Sequence, residues 1–233
     1  MAIIINIETS AKTCSVALSK DGAVEFQLED TDGMNHATKL APFVERCMEE
    51  LKRKEEKLDA VAVSLGPGSY TGLRIGLSLA KGLAFSLDVP LIGISTLQIL
   101  AVKAMFRSME WEGDEIIVPM VDARRMEVFT GAYNFALQEV VREQPMILDS
   151  DSFKELHGYR KVLFLGDGSE KFKDVYSGSN DVWLGPLTPH AKDMLALSEK
   201  FFREKRFIDV AYSTPNYLKE YQTTVPKNKV LNE

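Results

Sequence analysis

The sequence predicts a two-lobed α/β protein in which the second lobe repeats the plan of the first. The chain has 233 residues, enough for one large domain or two closely packed lobes. Hydrophobic residues make up 45% of it and charged residues 27%, a composition typical of globular proteins. Each half shows the same order of predicted elements, namely three strands, a helix, a strand, a glycine turn and a helix. We therefore expect two related lobes with a cleft between them.

In the first half, short β-branched or alternating runs predict strands over residues 3–7, 13–19, 23–28, 60–65 and 91–94. Apolar residues at helical spacing predict a helix from His36 to Leu51. Pro42 lies inside this pattern, so the helix either starts late or bends there. A second helix is predicted from Tyr70 to Leu87, and a third begins at Thr96 and ends near residue 109.

In the second half, the same patterns predict strands over residues 115–121, 127–134, 139–147 and 161–165. A short helix is predicted over residues 149–157, another after the turn at residues 166–169, and an amphipathic one over residues 189–205. The tail that follows shows little periodicity. The predicted division is an N-terminal lobe of residues 1–98, a C-terminal lobe of residues 99–210 and a tail of residues 211–233.

Charge, cysteine content and apolar runs limit the classes of function. The net charge of −6 disfavours stand-alone nucleic-acid binding and restricts RNA contact to a local basic patch. The two cysteines, Cys14 and Cys47, have neither disulfide nor metal-ligand spacing and are expected to be buried apolar residues. No signal peptide and no apolar run of about 20 residues is visible. We expect a cytoplasmic protein with no membrane contact.

The glycine loop, residues 66–72, is the sharpest motif in the chain. It reads Gly-Pro-Gly-Ser-Tyr-Thr-Gly and lies between a predicted strand and a predicted helix. Such a loop either directs backbone N–H groups at a phosphate or simply makes a tight turn. It is not a Walker loop, because no Lys-Ser/Thr pair follows the last glycine.

Several motifs together resemble one family. They are Ile-Asn-Ile-Glu-Thr-Ser at residues 5–10, the glycine loop with the following Leu-Arg, Ala-Lys-Gly-Leu-Ala at residues 80–84 and Val-Asp-Ala-Arg-Arg at residues 121–125. They resemble the TsaB (YeaZ) family, a subunit needed to make threonylcarbamoyladenosine in tRNA. The resemblance implies an actin-like ATPase (ASKHA) fold and two partners, the paralogous transferase TsaD and the ATPase TsaE. It also implies that tRNA is met only through the complex.

Within that resemblance, the candidate cofactor-binding residues are weak, and no catalytic or metal-ligating residue is predicted. TsaD uses two histidines four positions apart, whereas here His36 is followed by Leu40. The turn after Asp122 carries Arg124 and Arg125, which disfavour Mg²⁺. These arginines would grip an anion, form ion pairs across an interface or belong to a salt-bridged turn. ATP or ADP is expected at the complex with TsaD and TsaE rather than firmly on this chain. The weak candidates are Glu8, Gly66, Gly68, Asp122, Gly166 and Gly168.

The helix from Tyr70 to Leu87 is apolar on nearly every side and has a stripe of small residues. It is either a central helix buried within its lobe or half of a four-helix bundle formed with a partner. The family resemblance favours the bundle, with TsaD as the partner and a homodimer in its absence. The predicted interface residues are Leu40, Phe43, Val44, Cys47, Leu73, Gly76, Leu77, Ala80, Leu83 and Ala84.

The leading functional hypothesis is a non-catalytic partner subunit that binds and activates TsaD for threonylcarbamoyl transfer to the adenosine beside the anticodon. A small-molecule kinase of the same fold is the alternative, and it would need a phosphate-binding hairpin in each lobe. A glycopeptidase ranks last, because the sequence offers neither a zinc-ligand set nor a Ser/His/Asp arrangement.

Overall fold

The computed structural model describes residues 2–33, 35–107, 112–176 and 181–219, and within them the strands form two five-stranded sheets. The first sheet has the spatial order β3-β2-β1-β4-β5. Its hairpin strands β1, β2 and β3 pair antiparallel, whereas β4 and β5 join β1 in parallel. The strands are β1 (Ile3–Glu8), β2 (Cys14–Lys20), β3 (Ala23–Asp30), β4 (Ala60–Gly66) and β5 (Leu91–Ser95).

The second sheet repeats this arrangement with the order β8-β7-β6-β9-β10. The first three strands again pair antiparallel and the last two join in parallel. The strands are β6 (Glu115–Asp122), β7 (Glu127–Tyr133), β8 (Glu139–Ile147), β9 (Lys161–Leu165) and β10 (Asp181–Gly185). The predicted fold class, an α/β protein with duplicated lobes, is therefore confirmed, although β10 was not predicted.

The helices of the second lobe are shorter than predicted. The helix expected over residues 149–157 is wrong, because the segment is a set of turns with one 3₁₀ turn, Lys154–Leu156. Asp149 accepts hydrogen bonds from the amide of Asp151 and the hydroxyl of Ser152, and such local bonds compete with a helix. The helix expected after Ser169 is likewise a 3₁₀ turn, Glu170–Phe172.

The longer helices are α1 (His36–Arg53), α2 (Tyr70–Leu87), α3 (Thr96–Arg107) and α4 (Leu195–Arg203). α1 begins at His36 and continues through Pro42, so the late start was wrong. α2 has the predicted bounds, and the hydroxyl of Ser69 caps it by accepting from the amide of Gly72 at 3.2 Å. The expected helix over residues 189–205 is a 3₁₀ turn, Ala191–Met194, followed by α4. Residues 108 and 109, predicted as the end of α3, lie outside the described residues.

Alternation along β1 shows how the first sheet is covered on both faces. Ile3, Ile5 and Ile7 pack with the buried side of α1 and α2, whereas Ala2 and Ile4 pack with α3 and α4. A strand buried on both faces has to be apolar throughout, which explains the β-branched run.

Helix α3 connects the lobes. Ile99 and Val102 pack against the first sheet, and Leu97, Leu100 and Ala104 pack with residues of the second. The chain then returns to the first lobe, because α4 packs on the first sheet and Ile208 bridges to Leu91 of β5. The division at residues 98/99 and 210/211 stays a prediction, and this packing adds α4 to the layer that covers the first sheet.

A membrane span requires a long, apolar helix. No helix within the described residues is both long enough and apolar enough to cross a bilayer.

Candidate functional site

The glycine loop packs against the first hairpin of its own lobe. The amide of Ser69 donates to the carbonyl oxygen of Ser10 at 2.7 Å. A Cβ on Gly68 would lie 2.3 Å from that oxygen, and a Cβ on Gly72 would lie 2.2 Å from the carbonyl oxygen of Thr9. Because both clashes are with backbone, only glycine fits at these positions. The loop therefore fastens the β1–β2 turn to the start of α2.

The stripe of small residues on α2 also approaches the β1–β2 turn. A Cβ on Gly76 would lie 2.2 Å from the hydroxyl oxygen of Thr9. Ala80 and Ala84 are buried in the core that α2 shares with the first sheet. Within the chain, the close approach that this stripe permits is made by its own strand and turn, and the contact with a partner stays a prediction.

Glu8, a candidate cofactor-binding residue, is fully buried at the end of β1. The amide of Ser10 donates to its Oε1 at 2.6 Å, and its Oε2 has no hydrogen-bond partner among the described residues. Burial raises the pKa of Glu8 to about 7, although hydrogen bonds from Ser10 and Ser64 offset part of the shift. Glu8 does not occur among the residues that line the pockets between the lobes.

The second lobe repeats the relation between glycine turn and hairpin. The amide of Gly168 donates to the carbonyl oxygen of Met120 at 3.1 Å, and a Cβ on Gly166 would lie 2.2 Å from the same oxygen. The amide of Asp122 donates to Asp167 Oδ1 at 2.9 Å. Burial, with Asp122 nearby, raises the pKa of Asp167. Gly66 in the first lobe is packed differently, since a Cβ there would lie 2.8 Å from the side chain of Leu73 in α2.

Asp122 is held in a salt-bridged turn. Its Oδ1 lies 2.5 Å from Lys171 Nζ and accepts from the amide of Arg124 at 3.1 Å. Lys171 also donates to the carbonyl oxygens of Arg125 and Glu127 at 2.7 and 2.5 Å. One lysine therefore pairs with the carboxylate and closes the β6–β7 turn. The roles predicted for the side chains of Arg124 and Arg125 stay predictions.

A groove runs between the lobes as two adjoining pockets. The first, of about 510 Å³, is enclosed by the β1–β2 turn, the glycine loop and the β6–β7 turn. Ser10 and Thr96 are among its lining residues, and their hydroxyl oxygens are buried. The second, of about 780 Å³, lies between α2, the β6–β7 turn and the tail, and shares Tyr70 and Phe129 with the first.

The tail, whose described part is residues 211–219, crosses from one lobe to the other. The amide of Asn216 donates to the carbonyl oxygen of Leu65 at 2.7 Å in the first lobe. Tyr217 accepts a hydrogen bond from Arg74 Nε at 3.0 Å. Lys219 Nζ then lies 2.9 Å from both carboxylate oxygens of Glu127 in the second lobe. Sequence periodicity gave no preference for the role of this segment, which closes one side of the second pocket.

Most of the predicted interface residues are buried within the chain's own lobe. For the residues of α2, burial in the lobe's core is the central-helix alternative that the sequence left open. Phe43 and Leu83 are half-buried. The buried members of the predicted set are Leu40, Val44, Cys47, Leu73, Gly76, Leu77, Ala80 and Ala84, and their place in an interface stays a prediction.

The outer face of α2 remains partly exposed to solvent. Ile75, Leu79 and Leu83 are half-buried, and Ser78 and Gly82 are exposed between them. They follow the helical spacing i, i+3, i+4, i+7 and i+8 and so form one continuous stripe. The periodic pattern could have indicated this second stripe, because the helix is apolar on nearly every side.

His36 does not belong to a pair of histidines at metal-ligand spacing. His36 is buried and its Nε2 has no hydrogen-bond partner among the described residues, while the residue four positions on is the buried Leu40. Within the described ranges, no three His, Cys, Asp or Glu side chains lie together as ligands for a metal ion.

A family model, related sequences and a solved structure all match this chain. Residues 31–228 match the family model described as TsaD: tRNA N6-adenosine threonylcarbamoyltransferase. The tRNA threonylcarbamoyladenosine biosynthesis protein TsaB of Bacillus subtilis is 33% identical over 93% of this chain and 93% of its own length. The protein of the same name from Escherichia coli is 29% identical over 93% and 94%. The solved structure of YeaZ from Pseudomonas aeruginosa has a TM-score of 0.76 at 26% identity, covering 94% of this chain and 100% of that one.

Proposed function

Because this chain belongs to the TsaB (YeaZ) family, we propose that it takes part in threonylcarbamoyladenosine synthesis in tRNA as a non-catalytic partner subunit. In this role it binds TsaD and activates it for threonylcarbamoyl transfer to the adenosine beside the anticodon. The observation that carries the proposal is the similarity, over nearly the whole chain, to the biosynthesis protein TsaB of Bacillus subtilis. The family resemblance read from the motifs is confirmed by the same comparison.

The groups that a kinase of this fold would need are not available to a ligand here, which supports a non-catalytic role. A phosphate cradle requires backbone N–H groups that are open to the ligand. Here both glycine turns are closed on their own hairpins, at Ser10 and at Met120. Neither acidic candidate is free to bind a ligand, since Glu8 is fully buried and Asp122 is paired with Lys171. We therefore rank the kinase below the partner subunit, and a glycopeptidase below both.

The surface proposed for TsaD is the outer face of α2 together with the exposed part of α1. Its half-buried Ile75, Leu79 and Leu83 would lose their remaining water contact on binding, and burial of apolar surface favours association. Gly82 leaves room for a close approach, because a Cβ there would meet nothing within 4 Å. We propose that a second copy of this chain covers the same face when TsaD is absent.

The remaining parts of the proposal concern the complex. TsaE docks on the heterodimer of this chain and TsaD. ATP or ADP is used at that complex, tRNA is met through it, and the chain acts in the cytoplasm. None of these steps requires a catalytic group on this chain.

The decisive experiment is reconstitution of tRNA modification. Purified TsaD, TsaE, a threonylcarbamoyl donor, ATP and unmodified tRNA are incubated with and without this chain, and the modified nucleoside is measured by mass spectrometry. We expect modification only when the chain is present and negligible ATP turnover by the chain alone. Modification at the same rate without it, or robust phosphorylation of a small acceptor by the chain alone, would overturn the proposal.

A substitution at Gly82 tests the surface. Gly82→Arg places a long charged side chain in open space on a helix, and arginine has a helix propensity about 1 kcal/mol better than glycine. The variant should fold normally, while its binding to TsaD should weaken at least about 10-fold by isothermal titration calorimetry. Gly158→Arg is the matched control, because its Cβ also meets nothing within 4 Å and the residue lies in the second lobe. If Gly82→Arg binds TsaD like the control, this face is not the interface.

A further inference from the structure

The chain crosses between the lobes at α3, at residues 186–190 and in the tail, and the first two crossings lie side by side. α3 leads from the first sheet to the second, and residues 186–190 lead from β10 back to the first sheet. Lys103 Nζ of α3 lies 2.8 Å from Asp193 Oδ2, in the 3₁₀ turn that follows the return crossing. These side chains are only 11% and 12% exposed, so the ion pair is shielded from salt. We call α3 and residues 186–190 the hinge, because two adjacent connections leave rotation about one line as the easiest motion.

The tail lies at the other end of the groove from the hinge. The first pocket is lined by hinge residues, among them Leu100 of α3 and residues 187–189. The second pocket is lined by residues 216–219 of the tail and by no hinge residue within the described part of the chain. The two pockets adjoin at shared residues such as Phe129. The tail is therefore the contact between the lobes that is placed to control how far they turn about the hinge.

The tail is bonded first to β4 and α2 of the first lobe. The amide of Asn216 donates to the carbonyl oxygen of Leu65 at 2.7 Å. The ring of Tyr217 lies 5.2 Å from that of Tyr70, and its hydroxyl accepts from Arg74 Nε at 3.0 Å. Arg74 Cζ also lies 4.1 Å from the centre of the Tyr70 ring. The three side chains contact one another, so Tyr217 is held on the first turns of α2.

The next two residues of the tail contact the second lobe. Leu218 is half-buried and packs with the apolar cluster that α3 forms with the second sheet. Lys219 Nζ lies 2.9 Å from both carboxylate oxygens of Glu127, at the start of β7. The side chains of this pair are 38% and 21% exposed. Solvent-exposed ion pairs are individually weak and are screened by salt, so this contact can open without unfolding either lobe.

The link between these two contacts has almost no slack. Residues 217 and 219 are two peptide units apart, so their Cα atoms are separated by at most about 7 Å. The second lobe cannot move away from α2 at this end unless the Tyr217 contact or the Lys219 contact breaks.

We propose that the tail is a clasp, attached at Tyr217 to the first lobe and at Lys219 to the second, that fixes the angle between the lobes. Breaking either contact lets the second lobe turn about the hinge. Competition for Arg74 or Glu127 by another molecule would have the same effect. The clasp is a property of the isolated chain and does not rest on the proposed function.

The test is a distance measurement between the lobes by pulsed electron paramagnetic resonance on the full chain. Spin labels are attached at Gln27→Cys on β3 and Gly158→Cys in the second lobe, both exposed, whereas the native Cys14 and Cys47 are buried. Labelled protein is diluted with unlabelled protein, so that only distances within one chain are observed.

Four variants are compared in this labelled background. Lys219→Glu places two carboxylates together, and Tyr217→Ala removes the contact with α2. The exchange Glu127→Lys/Lys219→Glu restores an ion pair with the charges reversed. Lys57→Glu is the matched control, because it makes the same change of charge at an exposed position of the first lobe. Thermal unfolding establishes that each variant is folded.

We expect one narrow distribution of distances when the clasp is intact. Lys219→Glu and Tyr217→Ala should each broaden it and add a distance longer by several ångströms, and high salt should act in the same direction as Lys219→Glu. The exchanged pair should restore the narrow distribution, and Lys57→Glu should leave it unchanged. Distributions in Lys219→Glu and Tyr217→Ala that match the intact chain would overturn the proposal, as would an exchanged pair that stays as broad as Lys219→Glu.

Discussion

Substitution of Glu8 by glutamine should stabilise the protein at alkaline pH, because the buried carboxyl group resists ionisation. Its pKa is raised from 4.5 to about 7, mainly by burial, and its Oε2 has no hydrogen-bond partner among the described residues. Glu8→Gln keeps the shape of the protonated acid and the bond from the amide of Ser10, but removes the charge. The fold then no longer holds a carboxylate away from water.

The sign and size follow from proton linkage. The folded state binds a proton to Glu8 more tightly than the unfolded chain does, so wild-type stability falls as pH rises between about 4.5 and 7. A shift of this size corresponds to about 3 kcal/mol once the pH exceeds both values, and to under about 1 kcal/mol near pH 5. Against a typical total stability of about 5–15 kcal/mol, the effect is large.

Urea unfolding followed by circular dichroism near pH 5 and near pH 8 measures the difference. Glu8→Gln should be more stable than wild type by about 3 kcal/mol near pH 8, and the gain should shrink by roughly 2 kcal/mol or more near pH 5. Glu45→Gln, at an exposed position on α1, is the control and should show no such pH dependence. The reasoning fails if Glu8→Gln is equally stable as wild type at the higher pH, or if its gain is the same at both pH values.

Two further predictions concern α2 and the cysteines. Gly72→Ala should lower the free energy of unfolding by about 2–4 kcal/mol, because its Cβ would lie 2.2 Å from the carbonyl oxygen of Thr9, whereas Gly82→Ala should raise it by about 1 kcal/mol; equal effects in urea unfolding would contradict the packing described. Cys14 and Cys47 are buried, which raises the pKa of each thiol to about 12, so neither should react with Ellman's reagent until the protein is unfolded. Rapid reaction of the native protein would show that one of them is accessible.

Local pattern alone determined most of the framework. Alternation and β-branched runs predicted nine of the ten described strands, and the spacing of apolar residues predicted α1. The flanking glycine loop and the Asp-Val-Pro stop predicted the bounds of α2. These signals work because the period of a strand or helix decides which side chains share a face, and a buried face must be apolar. The duplicated order of elements was visible for the same reason. The 3₁₀ turns of the second lobe were missed, because side-chain bonds such as those of Asp149 compete with the helix.

Only the tertiary structure decided what covers each apolar face and what each glycine approaches. The stripe of Leu40, Val44 and Cys47 was predicted as part of an interface with a partner, and in the structure it packs against the chain's own sheet. Gly76 was predicted as part of a surface for a partner, and within the chain it meets Thr9, which is 67 positions earlier in the sequence. Periodicity describes one element at a time, whereas these contacts join elements that are distant along the chain. For that reason the sequence determined which faces are buried, and the fold decided which surfaces remain to meet another molecule.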